Sequence, residues 1–201
     1  MSDLELLKRE LVSVSHLFYQ RGWSLATSSN FSARVDPDRF LITASGKDKG
    51  TMTDKDVILV DRKGRVLAPQ DGKPSAETIL HCRLYAFDSE IGSVLHTHSV
   101  HSTIRSEGVS QATLTGYEML KAFSTVSTHE HTEIIPIVPN RQDMEEVWRS
   151  LPRSLANARA FLIAGHGLYT WGRDIAEAKK HVEALEFMFE CEYRKRALPG
   201  A

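Results

Sequence analysis

A mostly apolar segment in the middle of the chain ends in two histidines and reads Ile91-Gly92-Ser93-Val94-Leu95-His96-Thr97-His98. Alternate side chains of a β-strand point to the same face of its sheet. His96 and His98 are therefore expected to project from one face, close enough to bind the same ion. His166 lies between two glycines after a second apolar run, and its imidazole would complete a three-histidine site. Three protein ligands with a vacant fourth position are typical of catalytic zinc.

The nine histidines of the chain are not equally good metal ligands. His129 and His131 form a second His-x-His pair, but polar residues surround them and no apolar segment leads into them, which indicates an exposed loop. Neutral imidazoles without a thiolate favour zinc, with manganese, iron and cobalt as alternatives. The remaining histidines are expected to lie in helices, or beside the site without binding the ion: His16, His81, His101 and His181.

The apolar periodicity predicts alternating helices and short strands. Helical spacing over 3–21 predicts a first helix, Ser75 is expected to cap a helix over 76–87, and Asp174 is expected to cap a long C-terminal helix. Two more helices are predicted at 99–106 and near 141–150, and strands at 31–35, 40–43, 57–60, 92–96, 134–138, 160–164 and 168–171. This pattern indicates one α/β domain over residues 1–201, with a central mixed or antiparallel sheet and helices on its faces.

Composition narrows the functional class. The 201 residues are 41% hydrophobic, and the net charge is −1. Acidic and basic residues are mixed along the chain, so no basic stripe for binding nucleic acid is present. No apolar run approaches the roughly 20 residues of a membrane span, and the charged N-terminus does not resemble a signal peptide. Cys82 and Cys191 fit no metal-binding spacing. A cytoplasmic protein with a small-molecule partner, and without nucleic-acid or membrane partners, is expected.

Three turns in the first 75 residues combine small hydroxyl residues with Gly, Asn or Lys. Hydroxyls, exposed backbone N–H groups and an ammonium group suit a phosphate, although each turn alone is also compatible with an ordinary loop. The turns are Thr27-Ser28-Ser29-Asn30, Thr43-Ala44-Ser45-Gly46-Lys47 and Lys73-Pro74-Ser75.

Two glutamates are candidates for acid–base chemistry. Glu77 follows Ser75 at the start of a predicted helix, and Glu118 lies between the two histidine motifs. A metal, a phosphate site and a carboxylate together suggest chemistry beside the carbonyl of a sugar phosphate. The ion would stabilise negative charge on the carbonyl oxygen while a glutamate moves the proton.

The order of these motifs resembles the class II aldolase/adducin family over nearly the whole chain. Four further segments resemble those of the family's sugar-phosphate dehydratases. The family motifs are the Thr27–Ser32 segment, Ile42-Thr43-Ala44-Ser45-Gly46, Lys73-Pro74-Ser75-Ala76-Glu77, His96-Thr97-His98 and Gly165-His166-Gly167-Leu168. The dehydratase-like segments are 18–23, 45–50, 116–121 and 128–131.

This resemblance implies an αβα layered fold, a largely antiparallel sheet and a homotetramer with active sites at subunit interfaces. It implies one zinc ion per subunit, held by His96, His98 and His166. The substrate phosphate is expected near Ser28, Ser29, Asn30, Ser45, Gly46 and Ser75, with Lys47 a weaker candidate.

The resemblance also implies the reaction, the dehydration of a phosphorylated ketose. Glu77 matches the catalytic glutamate of the family's aldolases, and Glu118 matches the acid–base glutamate of its dehydratases. Because some dehydratases have cysteine in place of Glu77, Glu118 is preferred as the acid–base. Glu77 then assists or fills the open position on the ion. An aldolase or epimerase for fuculose or ribulose phosphate is the nearest alternative, and a non-catalytic adducin-like module is the alternative from another class.

Overall fold

The described residues form a central mixed sheet of eight strands. The computed structural model describes residues 2–67, 71–151, 155–196 and 198. The sheet order is β3-β2-β1-β4-β8-β7-β6-β5, and the neighbouring strands are antiparallel except for the parallel pair β6–β7. The strands are β1 Asn30–Asp36, β2 Arg39–Thr43, β3 Val57–Asp61, β4 Ser93–Thr97, β5 Gln111–Thr115, β6 Thr132–Val138, β7 Ala160–Ile163 and β8 Gly167–Gly172.

Five α-helices flank this sheet in the described ranges. They are α1 Asp3–Gln20, α2 Thr78–Phe87, α3 Val100–Arg105, α4 Met144–Arg149 and α5 Ile175–Arg196, with short 3-10 helices at Asp54–Asp56 and Glu118–Ala122. Helices α2 and α4 share one apolar core with one face of the sheet, while α1 and α5 pack against the other face. The αβα layered fold with a largely antiparallel sheet is thus confirmed.

Strand β4 is central, and its five residues are all buried. Val94 belongs to the core beneath α2, whereas Leu95 belongs to the core beneath α1 and α5. Because side chains alternate along a strand, His96 points toward α2 and Thr97 toward α5. This alternation decides which helix meets each residue of the His-x-His motif.

The predicted helices and strands match the structure to within a few residues, with two corrections. Ser75 does not cap α2, because the helix begins at Thr78 with Glu77 as its N-terminal flanking residue; Ser75 Oγ instead accepts the Glu77 N–H at 3.2 Å. Strand β5 has no predicted counterpart, since only Ala112 and Leu114 are buried among polar neighbours. No described helix is both long and apolar enough to cross a membrane.

Candidate metal and substrate site

Three histidines and one glutamate from distant parts of the chain meet at the end of the central strand β4. His96 is the next-to-last residue of β4, His98 follows the strand directly, and His166 lies in the turn between β7 and β8. Glu77 reaches them from the N-terminal end of α2. One ligand atom from each residue lies within 4.8 Å of the others, so the described residues form a group suited to one metal ion.

The imidazole nitrogens and the Glu77 carboxylate oxygens of this group lie close together. The Nε2 atoms of His96 and His98 are 2.7 Å apart, and Glu77 Oε1 is 3.1 Å from His166 Nε2. Nδ1 of His96 donates to the Leu168 carbonyl oxygen at 2.9 Å, which leaves its Nε2 lone pair for a ligand bond. Nδ1 of His166 is buried and has no hydrogen-bond partner among the described residues.

The electrostatics hold these groups in the states that a metal requires. Burial, together with the charge of His166, lowers the pKa of His98 to about 4, and burial places the pKa of His96 well below its ordinary value. Burial alone would raise the pKa of Glu77, but the His166 hydrogen bond and the surrounding imidazoles lower it overall. Neutral imidazoles and an ionised carboxylate are the donor set of zinc and similar divalent ions.

A buried chain of hydrogen bonds supports Glu77 from behind. Asn30 Nδ2 donates to Glu77 Oε2 at 2.5 Å, and Asn30 Oδ1 accepts from His81 Nε2. His81 Nδ1 must then accept from Ser32 Oγ at 2.7 Å, and Ser32 accepts from the Tyr85 hydroxyl at 2.8 Å. Burial lowers the pKa of His81 to about 3, so this ring stays neutral. The helical pattern around His81 gave no sign of this role.

The first predicted phosphate turn lies beside the metal ligands. The Trp23 carbonyl oxygen accepts both the His98 N–H at 2.8 Å and the Ser29 hydroxyl at 3.2 Å. Ala26, Thr27 and Ser29 all have positive φ, between 52° and 70°. Such backbone is costly for residues other than glycine and is concentrated at functional sites.

The second and third predicted turns meet each other. The Ser45 N–H donates to the Lys73 carbonyl oxygen at 2.9 Å, and Ser75 holds the N–H of Glu77. Asn30 of the first turn and Ser75 of the third turn both contact Glu77, and the second turn contacts the third, so the three turns lie on the Glu77 side of the cluster.

Residues 9–193 match the family model described as Class II Aldolase and Adducin N-terminal domain. The chain belongs to the class II aldolase and adducin family. It is 45% identical over 199 residues to a protein of Azotobacter vinelandii named methylthioribulose-1-phosphate dehydratase, covering 96% of each chain. A protein of the same name from Sorangium cellulosum is 45% identical over 188 residues, covering 90% of this chain and 89% of that one.

Solved structures share the fold of this class II aldolase family member at low sequence identity. The L-fuculose-1-phosphate aldolase of Thermus thermophilus superposes with a TM-score of 0.79 at 24% identity, covering 98% of this chain and 99% of that one. YgbL of Klebsiella pneumoniae, titled a putative aldolase/epimerase/decarboxylase, gives 0.82 at 21% identity and covers 96% and 91% of the two chains.

Glu118 lies outside the metal cluster of this class II aldolase family member. Its side chain is 70% exposed on the 3-10 helix Glu118–Ala122 and accepts from Lys121 Nζ at 2.5 Å. His129 Nδ1 is 3.8 Å away. The hydrogen bond from Lys121 lowers the pKa of Glu118, which is therefore an exposed carboxylate. The pair His129 and His131 lies in the turn before β6, as the polar sequence predicted.

Lys49 is a feature of the site that the sequence reasoning missed. Its side chain is 1% exposed, and Nζ donates to the Lys47 carbonyl oxygen at 3.0 Å. No carboxylate of the described residues lies within ion-pair distance of it. Burial lowers the pKa of Lys49 to about 8, and its charge contributes to the low pKa of His98. Lys47, the residue considered for phosphate, instead pairs with Asp56 at 2.8 Å.

Proposed function

We propose that this chain dehydrates 5-methylthioribulose 1-phosphate to 2,3-diketo-5-methylthiopentyl 1-phosphate and water, as a zinc-dependent enzyme of methionine salvage in the cytoplasm. The observation that carries the proposal is the 45% identity, over 96% of the chain, to relatives named for this activity. The cluster of Glu77 with three histidines supports metal-assisted chemistry rather than a non-catalytic adducin-like module.

The phosphate end of the substrate is assigned to the three converging turns. Ala26, Thr27 and Ser29 have positive φ, a backbone conformation found in turns whose N–H groups bind anions. Ser28, Asn30, Ser45, Gly46 and Ser75 complete the proposed phosphate site. Lys49 adds a buried ammonium group that donates to the Lys47 carbonyl oxygen but has no carboxylate partner among the described residues, which suits an anionic substrate group.

Zinc held by His96, His98 and His166 would supply Lewis-acid stabilisation of negative charge on the C2 and C3 oxygens of the ketose. Removal of the C3 proton makes an enediolate, and the C4 hydroxyl then leaves as water when it receives a proton. The enol that remains becomes the 2,3-diketone. One carboxyl group that takes the C3 proton and returns it to the C4 hydroxyl balances the reaction.

Glu118 is proposed as that acid–base group. Because Glu118 is exposed and does not belong to the Glu77 cluster, we propose that it acts on substrate bound by a neighbouring subunit. A homotetramer with active sites at subunit interfaces provides this arrangement. Glu77 is proposed to occupy the fourth position beside the histidines until substrate arrives, since its Oε1 already points at His166 Nε2.

The experiment that tests the proposed function compares two substrates. Zinc-loaded protein is incubated with methylthioribulose 1-phosphate and, separately, with fuculose 1-phosphate. Formation of the diketone from the first substrate, without aldehyde from the second, is the expected result. Aldehyde from fuculose 1-phosphate, with no product from methylthioribulose 1-phosphate, would overturn the dehydratase in favour of an aldolase.

A further inference from the structure

A buried carboxyl group lies on the opposite side of the sheet from Glu77. Glu186 is on α5, and its side chain is 1% exposed. No cation of the described residues lies within ion-pair distance of it, and burial raises its pKa to about 7. Burying a carboxyl group without a cation costs folding free energy, so a specific role for Glu186 is expected at this position.

The partners of Glu186 are the two residues that flank His98. Thr97 Oγ1 donates to Oε1 at 3.0 Å, and Ser99 Oγ donates to Oε2 through a short hydrogen bond. Thr97 points toward α5 because His96, its neighbour on β4, points toward α2. Each carboxyl oxygen therefore holds one side of the turn that carries His98.

The same hydroxyl network extends to the turn that carries His166. Ser99 caps α3 by accepting the Ser102 N–H at 3.0 Å. Thr103 Oγ1 donates to the carbonyl oxygens of Ser99 and His166, at 2.7 and 3.0 Å. Ser106 Oγ accepts the Gly165 N–H at 2.9 Å. Helix α3 thus links both ligand turns, and Glu186 anchors its N-terminal end.

His98 depends on this anchor more than His96 does. The ring of His96 is oriented by its hydrogen bond to the Leu168 carbonyl oxygen. Among the described residues, the ring of His98 has one hydrogen-bond partner, which is His96. Metal-binding histidines are usually oriented by a hydrogen bond to the second ring nitrogen. Without that bond, the direction of the His98 ring depends on its backbone, which Thr97 and Ser99 restrain.

We infer that Glu186 is a positioning residue for the metal centre, acting on His98 through Thr97 and Ser99 and on His166 through α3. The inference rests on the proposed metal site. It assigns Glu186 no contact with substrate or ion. Its effect is to hold two imidazoles in the orientation that one ion needs before that ion binds.

The test measures zinc affinity and thermal stability separately in the full-length protein. Glu186→Gln keeps the side-chain shape but removes one acceptor oxygen, and Thr97→Val removes the hydroxyl with little change of volume. Both variants are expected to bind zinc at least about tenfold more weakly when affinity is measured on folded, metal-free protein well below its melting temperature. Glu190→Gln is the matched control on the same helix, because the ion-pair partner of Glu190 among the described residues is Arg194.

The outcomes separate this inference from the proposed function. Zinc binding by both variants within twofold of the parent, with only a lower melting temperature, would show a purely structural role and overturn the inference. A parent protein that takes up no zinc would overturn the metal site and the inference together. If Glu186→Gln does not fold, the zinc affinity of Thr97→Val decides the question.

Discussion

Asn30 Nδ2 donates a hydrogen bond of 2.5 Å to Glu77 Oε2 and thereby joins the first residue of β1 to the carboxylate at the start of α2. The other side of the same amide accepts from His81. One side chain therefore satisfies two buried polar groups, and it orients the glutamate that lies against the three histidines.

Asn30→Ala should destabilise the metal-free protein by about 2–4 kcal/mol, because Glu77 Oε2 and His81 Nε2 each lose the hydrogen bond that Asn30 makes to them. Urea denaturation measures the free energy of unfolding. Ser28→Ala, in the same turn, is the control and should change that value by about 0.5 kcal/mol or less. Equal stability of the two variants would contradict a supporting role for Asn30.

Lys49→Met should lower kcat/KM by about ten- to a hundredfold while zinc content stays the same, because the variant cannot make the buried charged hydrogen bond proposed between Lys49 and the substrate. Lys47→Met is the matched control, two residues away, and should leave kcat/KM near that of the parent, since Lys47 pairs with Asp56. Steady-state kinetics and metal analysis check both. Similar kinetics for the two variants would remove Lys49 from the proposed substrate site.

Glu118→Gln should retain zinc but lose about a hundredfold or more of its turnover, as expected for loss of the acid–base group. His98→Ala should lose both zinc and activity, because it removes a metal ligand. Metal content and kcat are measured on the same preparations. Full turnover by Glu118→Gln would move the acid–base role to another residue.

Co-expression of those two inactive variants tests whether Glu118 serves a neighbouring subunit. Random assortment gives roughly one site in four that combines an intact His98 with an intact Glu118 from the other chain. Activity should therefore return in the mixed oligomer but not in either variant alone. Continued inactivity of a mixed oligomer that contains both chains would contradict the shared site.

The raised pKa of Glu186 predicts a pH-dependent difference in stability between the parent and Glu186→Gln. Between the ordinary pKa of 4.5 and the folded value of about 7, the folded state keeps a proton that the unfolded state releases. The contribution of Glu186 is therefore fully present below pH 4.5 and is lost as the pH rises to about 7, by about 3 kcal/mol.

Denaturation of the metal-free parent and variant across this pH range measures the difference. Burial raises the pKa of Glu186, and hydrogen bonds from hydroxyl groups lower it in part, with no contribution from a charged group. A difference between parent and variant that stays constant from pH 4.5 to 7.5 would mean that folding does not raise the pKa of Glu186.

Local pattern was enough to predict most elements of this fold. The apolar residues of α1 recur at helical spacing, and β4 is a continuous apolar run, so each segment shows its structure through its own periodicity. The His-x-His motif at the end of β4 and the isolated His166 also indicated a ligand set without knowledge of the fold. The short β5 was missed because two buried residues among polar neighbours make no recognisable period.

The tertiary structure decided which residues surround the histidines. Glu77 and Asn30 meet across 47 positions of sequence, and Glu186 lies 89 positions after Thr97. No local sequence pattern predicts contacts between residues so far apart in the sequence. These contacts depend on the strand order, which places β1 and β8 on either side of β4. Burial also separates Lys49 from Lys47, which the sequence presents as two similar loop lysines. The sequence therefore indicated the candidate metal ligands, while packing of the sheet against α2 and α5 determined which groups support them.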